Sequence, residues 1–385
     1  MASLLARLFP QPPAPEPIAP GIYHSLAPQD SPLPYRLHLR VEPGGDGVLI
    51  VNAATILHLN SSATAHALLL VHGASDEDAA KSISSRFRVS TRRALADQRK
   101  LRDQVLRLAM AKDLDPVVYL GMERAEPYSA KPSAPYRLDL ALTYRIGPGN
   151  AMDPLARRRV DRELTTDEWK QILSAAWQAG IPHVVFTGGE PTLREDLVEL
   201  IGYAQSLGQV TGLLTDGCRL SGSAYLDRLR MAGLDHILIA LNVQDSASGD
   251  GLRAALASDV FTAAHITLTP GNAAEACGLL DMLRGLGLTA LSLSASESTE
   301  EMSAALSRSR QQAARLGFDL IWDLPTPYSA TNPISLELEV PPQGAGRAFL
   351  YVEPDGDVLP AQGVDRVLGN FLRDGWTKVW AAAGA

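Results

Sequence analysis

The stretch PHVVFTGGEPTLREDLVELI, residues 182–201, decides how this chain folds. An apolar run, HVVFTG, ends on two glycines, and an amphipathic run follows directly after Pro191. That order reads as strand, tight turn and helix, the unit from which parallel sheets are built. Gly188 and Gly189 let the backbone turn sharply and approach a ligand, Pro191 fixes the exit, and Glu190 offers a carboxylate that can pair with an ammonium group. The turn suits an amino-acid-like ligand. The same residues also allow a plain βα turn in which Glu190 only complements the helix dipole.

Outward from this unit the alternation continues. YRLDLALT (136–143) precedes a helix over 166–179, and after the quoted strand come a helix over 193–207, QVTGLL (209–214), a helix over 221–232 and HILIAL (236–241). A short helix near 250–257, AHITLT (264–269), a helix over 272–286, ALSLSA (290–295), a helix over 299–316 and FDLIW (318–322) complete the series. Apolar strands alternating with amphipathic helices predict parallel strands joined by right-handed crossovers, as an open α/β sheet or a partial barrel. Thr165 with Glu168 three residues on predicts a capping box. In either architecture the working site lies at the carboxyl ends of the strands. His183, His236 and His265 fall at or near strand starts, away from that end, and read as structural.

Upstream the pattern differs. Residues 1–20 are rich in Pro and Ala and read as a loose arm. YRLHLRV (35–41) and VLIVNAATILHLN (48–60) read as three short antiparallel strands, followed by helices from Ser62 to Val71, after Ser75, and from Ser90 or Thr91 to about Ala111. The expected organisation is a small α+β domain over 21–112, a Pro-containing linker over 113–134, the βα domain over 135–323 and a C-terminal extension over 324–385. In the extension, LELEV (336–340), AFLYVEPDGDVLP (348–360) and a helix near 370–381 predict a hairpin-and-helix appendix that turns at Asp355-Gly356.

Composition removes several classes of function. Of 385 residues, 46% are hydrophobic and 20% charged, which is ordinary globular material. The formal charge of −8, with scattered basic residues, leaves no footprint for nucleic acid. No run approaches the roughly 20 apolar residues of a membrane span, and the short apolar patch at the start lacks a signal-peptide core, so the expected location is the cytoplasm. Only two cysteines are present, Cys218 and Cys277, neither at metal-ligand spacing from another Cys or His.

From Leu138 the series DLALTYR, RELTTDEWKQIL and PHVVFTGGEPTLREDLVELI resembles the radical SAM superfamily, over roughly residues 136 to 380. The resemblance implies a partial (β/α)6 barrel in which the Gly188-Gly189-Glu190-Pro191 turn holds the amino group of S-adenosylmethionine (SAM). LLTDG (213–217), HILIALNVQD and ITLTPGN resemble the next strand ends, which adds Asp216, in the place of a usual Asn, together with Asn242 and Thr269, to the implied SAM site. Residues 22 to 110 resemble the small, winged-helix-like PqqD family, which grips the leader peptide of a ribosomally made precursor as an added strand. The C-terminal extension resembles a SPASM-type tail.

The resemblance breaks at the metal. Radical SAM enzymes hold a [4Fe–4S] cluster with three cysteines spaced C-x3-C-x2-C after the first strand, and those places here are Ile146, Asn150 and Asp153. In the tail, Ala361 stands where Pro-Cys-Gln-Gly would carry a thiolate. Iron–sulfur clusters need soft anionic sulfur, so the cluster is not expected. The expectation is a cluster-free companion protein in peptide modification that binds a precursor peptide or a cysteine-complete paralogue. Two readings compete with it: an active radical SAM enzyme with ligands from elsewhere, and an enzyme using Asp153, Glu190 and Asp216 with a hard divalent ion.

Overall fold

The computed structural model describes residues 18–27, 35–52, 55–110, 132–147, 156–242, 244–321, 324–326 and 341–384. Asn150, Asp153, LELEV, most of the arm and most of the linker lie outside these residues. The chain divides into two compact units, Met1–Ala125 and Glu126–Ala385.

The first unit is an antiparallel sheet of four strands followed by three helices. The strands, in sheet order, are β1 (Gly21–Leu26), β2 (Arg36–Val41), β3 (Gly47–Val51) and β4 (Thr55–Leu59). The sequence predicts three strands. The fourth, β1, pairs along the whole of β2, from Gly21 opposite Val41 to Leu26 opposite Arg36. Its residues alternate weakly and stay largely open to solvent, so only the partner strand defines it. Asn52, at φ 53°, turns the chain after β3, a conformation Asn adopts more readily than most residues. The helices α1 (Ser61–Val71), α2 (Asp76–Arg86) and α3 (Thr91–Met110) follow. Leu39, Leu49, Leu57, Ile83 and Val105 belong to this unit's own core.

The second unit is built on one 10-stranded sheet. Its parallel strands are β5 (Arg137–Thr143), β6 (His183–Gly188), β7 (Val210–Thr215), β8 (His236–Ala240), β9 (Phe261–Leu268), β10 (Ala290–Ala295) and β11 (Asp319–Leu320). Between them run α4 (Ala156–Arg159), α5 (Thr166–Gln178), α6 (Leu197–Leu207), α7 (Ser223–Met231), α8 (Ser246–Leu256), α9 (Ala276–Gly285) and α10 (Glu300–Arg315). The expected capping box forms: Thr165 accepts from the Glu168 N–H while Glu168 accepts from the Thr165 N–H. A hydrogen bond from Arg162 does most to hold the Glu168 carboxyl down at about 2.

The crossover helices bury their apolar stripes in one cluster, where Trp169, Leu200, Leu226, Leu252, Leu280 and Met302 meet strand residues such as Leu140 and Phe186. The alternate strand residues Val185, Leu214, Leu238, Ala263 and Ala290 form a separate, smaller cluster on the opposite face. The described helices that contribute to the first cluster therefore lie on one side of the sheet, while Ile321 and Leu324 pack against the apolar residues of its second face.

The C-terminal extension departs from the predicted appendix. β12 (Phe349–Val352) pairs in parallel with β5, so the hairpin it makes with β13 (Asp357–Leu359) continues the main sheet, and β14 (Gly369–Asn370) ends it. The turn is at Asp355-Gly356, with Gly356 at φ 90°. The final helix is broken by Gly375 into α11 (Phe371–Asp374) and α12 (Trp376–Ala382). No helix among the described residues is long and apolar enough to cross a membrane.

Candidate functional site

The Gly188-Gly189-Glu190-Pro191 turn closes β6, and both glycines are required by a close approach. A Cβ on Gly188, which sits at φ 124°, would lie 2.1 Å from the Thr143 carbonyl oxygen, and one on Gly189 would lie 2.3 Å from that of Arg145. The Gly189 N–H donates to Thr143 O (2.8 Å) and the Glu190 N–H to Arg145 O (2.7 Å). The segment leaving β5 is therefore stitched directly onto the turn. Pro191 opens a single 3-10 turn, Pro191–Leu193, and α6 begins only at Leu197.

Glu190 is buried, and its carboxylate is turned into the protein. Oε1 accepts from the Thr192 N–H (2.9 Å), the Thr192 hydroxyl (2.5 Å) and the Thr215 hydroxyl (2.8 Å), while Oε2 accepts from the Asp216 N–H (2.7 Å). Burial first, and the nearby Asp216 charge second, push its pKa up to about 8, against donors that favour the anion. Arg219 braces the same turn by donating to the Thr192 carbonyl.

Asp216 and Asn242 are joined through one serine. Ser248 donates to the Asp216 carbonyl (2.6 Å) and accepts from the Asn242 N–H (3.2 Å). The Asp216 side chain accepts from the Cys218 N–H (2.8 Å). Thr269 stands apart at the end of β9, where its N–H is held by Asn272 (2.9 Å). The structure thus links the ends of β6, β7 and β8 into one hydrogen-bonded group and leaves Thr269 in a turn of its own.

Several residues of this region carry no signal in the sequence. Thr143, Arg145 and Arg194 converge on Glu163, and Arg194 also pairs with Asp196 (2.6 Å) and donates to the Leu142 and Leu164 carbonyls. Beside them, the buried Glu353 accepts from the Tyr144 hydroxyl (3.0 Å) and from Arg159 (3.1 Å). Thr192 could have been guessed from its place two residues after Glu190. Glu353 could not, because β12 reaches β5 only through tertiary pairing.

Comparison with known proteins identifies this architecture. Among curated relatives, the PqqA peptide cyclase of Methylorubrum populi is 30% identical over 285 residues, covering 64% of this chain and 72% of the relative. That of Xanthomonas oryzae pv. oryzae is 30% identical over 266 residues, covering 61% and 70%. The Radical SAM superfamily profile matches residues 144–246. The chain belongs to the radical SAM superfamily. Streptococcus suis SuiB, solved with its precursor peptide SuiA, shares the fold at a TM-score of 0.59 and 15% identity, covering 94% of this chain and 88% of SuiB. SuiB solved with S-adenosylmethionine matches at 0.56 and 15%, covering 93% and 88%.

The residues of this radical SAM chain do not fit the cluster that its superfamily implies. Ile146, which the sequence resemblance sets in the first cysteine place, lays its Cγ2 over Gly189, 2.9 Å from where a Cβ would stand. An aliphatic carbon cannot ligate iron. The residues that the resemblance sets in the other two places, outside the described residues, are an amide and a hard carboxylate, Asn150 and Asp153. Cys218 donates to Asp245 (3.5 Å), and burial, then Asp216 and Asp245, raise its thiol pKa; with Cys277 it makes two thiols, one fewer than the three that such a cluster uses. Cys277 lies on α9. Ala361 is buried against Ala348, Phe349 and Val364. Among the described residues no group of three or more His, Cys, Asp or Glu is placed to hold a metal ion. For SAM, the hydrogen bonds that secure the turn already use its N–H groups and the Glu190 carboxylate, so an ammonium at Glu190 would have to share that carboxylate.

Proposed function

We propose that this chain is a cluster-free radical SAM family protein that serves as a non-catalytic companion in the modification of ribosomally made peptides. The observation that carries the reading is Ile146, an aliphatic side chain seated on the Gly189 turn, which the sequence resemblance sets in the place of the first cluster thiolate. The count of two cysteines in the sequence and the buried Ala361 support it. The relatives named PqqA peptide cyclase, and a fold neighbour solved with a precursor peptide, support a peptide as the partner.

In this reading the PqqD-like unit takes the peptide as a strand. Because β1 covers the outer edge of β2, an added strand would have to join an end of the sheet, at β4 or at β1, each of which pairs with one strand among the described residues. A SAM-like ligand would meet the strand ends at Gly188, Gly189, Glu190, Pro191, Asp216, Asn242 and Thr269, without an iron to chelate its amino and carboxylate groups. A cysteine-complete paralogue would supply the radical chemistry, the C-terminal extension is SPASM-like in ancestry, and the cytoplasm is the working compartment.

Anaerobic purification followed by reconstitution with iron and sulfide is the test. The protein is expected to remain colourless and to yield no 5′-deoxyadenosine from SAM under a strong reductant. Near-stoichiometric 4Fe–4S absorbance, or reductive SAM cleavage, would overturn the proposal in favour of an active enzyme.

A further inference from the structure

His265 does not lie at a strand start, as the sequence pattern predicts. β9 begins four residues earlier, at Phe261, which places His265 in the carboxyl half of the strand. It has the same parity as Ala263, so it projects from the second face of the sheet, away from the helices. On β10 it pairs with Ser292, and Thr267 pairs with Ser294. Register alone therefore assembles four polar side chains on two neighbouring parallel strands.

The four form one network. His265 Nδ1 is 3.0 Å from the Ser292 hydroxyl, and Nε2 is 3.0 Å from that of Ser294 and 3.2 Å from that of Thr267. The Ser294 hydroxyl also lies 3.4 Å from that of Thr267. His265 is 3% exposed, whereas Ser292, Ser294 and Thr267 are half-buried, so the ring is the floor and the hydroxyls are the open layer. Burial holds the imidazole neutral, with its pKa lowered to about 4.

The sheet does not need this polarity. Replacing a bonded polar pair by apolar groups of the same shape is nearly neutral for stability, and the adjoining residues Leu238, Ala263 and Ala290 are apolar. A neutral imidazole brings one donor and one acceptor, and each hydroxyl brings one donor and two lone pairs, so acceptor sites outnumber donor hydrogens within the network. Two hydroxyls also compete for the single Nε2. The surplus is acceptor capacity, presented through half-open hydroxyls toward the carboxyl ends of the strands, where parallel sheets bind ligands. None of the four side chains carries a charge, so an ion seated here would lose hydration without a counter-charge in the quartet.

We infer that His265, Ser292, Ser294 and Thr267 form a binding subsite for an uncharged group bearing N–H donors, such as a carboxamide or a peptide amide. The subsite needs neither iron nor SAM.

The test is a titration of the full chain, 15N-labelled at histidine, at pH 7 with acetamide, acetate and methylammonium chloride, following the ring nitrogens of His265. The resonance is assigned by its loss in His265→Gln. Acetamide is expected to shift it saturably, and Ser292→Ala with Ser294→Ala to raise the midpoint about tenfold or more, as the loss of one or two hydrogen bonds predicts. Acetate and methylammonium should shift it no more than sodium chloride does. If the double variant unfolds, Thr267→Val takes its place with the same expected weakening. No saturable acetamide shift, an equal response to either ion, or an unchanged midpoint in the folded variant would overturn the inference. Because the readout involves no cluster, cofactor or leader peptide, it stands or falls separately from the companion role.

Discussion

At the scale of single residues, the candidate site is governed by close approach and by one buried carboxylate. Gly189→Ala would force a methyl group onto Arg145 O and part the Glu190 N–H from its acceptor. A loss of more than about 2 kcal/mol in urea unfolding is expected, and an unchanged midpoint would refute the tight approach. Glu190→Gln puts an amide donor opposite a hydroxyl or N–H donor. It should cost about 1–3 kcal/mol. The two proteins should also differ in pH dependence. The Glu190 pKa is raised from 4.5 to about 8 in the fold, so the folded state holds the extra proton and wild-type stability, measured relative to Glu190→Gln, is lost as pH rises from about 4.5 through 8. Parallel pH profiles for the two proteins would show no such interaction. Of this site, the turn and Thr192 were legible in the sequence because they are local. Thr215, Arg219 and Glu163 were not, since each reaches the turn from another element.

At the scale of elements, local signals and pairing partners contribute differently. The start of α5 is written in the chain, and Thr165→Ala should cost about 1 kcal/mol by removing the cap from its N–H partner. Thermal melts would detect this as a small fall in midpoint. β12 is the opposite case. It is four residues long, and it is a strand of the main sheet only because Leu350 and Tyr351 lie beside Leu138 and Asp139 of β5. Leu350 is fully buried in the main core, so Leu350→Ala should cost about 2–5 kcal/mol, far more than an appendix residue would. A change under about 0.5 kcal/mol, typical of surface positions, would argue against the joined sheet. β1 carries little sequence signal for the same reason, since none of its residues is buried and only the neighbouring strand fixes it, whereas the first residues of β9, exposed at Phe261 but buried at Thr262 and Ala263, are fixed by their pairing with β8.

At the scale of the whole molecule, the second face of the large sheet buries neutral histidines that the solvent-exposed chain would protonate. His236, bonded to His183 through their Nε2 atoms at 2.8 Å, and His265 both have pKa values lowered from 6.5 to about 4, in each case chiefly by burial. Gly212 makes the room, since a Cβ there would fall 2.2 Å from the His236 ring. The unfolded state takes up the protons first, so this contribution is complete above about pH 6.5 and is lost as pH falls toward 4, by up to roughly 3 kcal/mol per ring. Chemical denaturation of wild type and His265→Asn across pH 4 to 7 should converge at the acid end. A constant difference between them would rule out a neutral buried ring.

The alternation of apolar strands with amphipathic helices, the Gly-Gly-Glu-Pro turn, the capping box and the shortage of cysteines are properties of neighbouring residues, and the sequence by itself determined them. Which strands border β2 and β5, how the Glu190 carboxylate is satisfied, where Ile146 rests and what surrounds His265 were decided only by tertiary structure. Strand pairing and side-chain burial join residues distant along the chain, and periodicity, which is local, cannot report register between them.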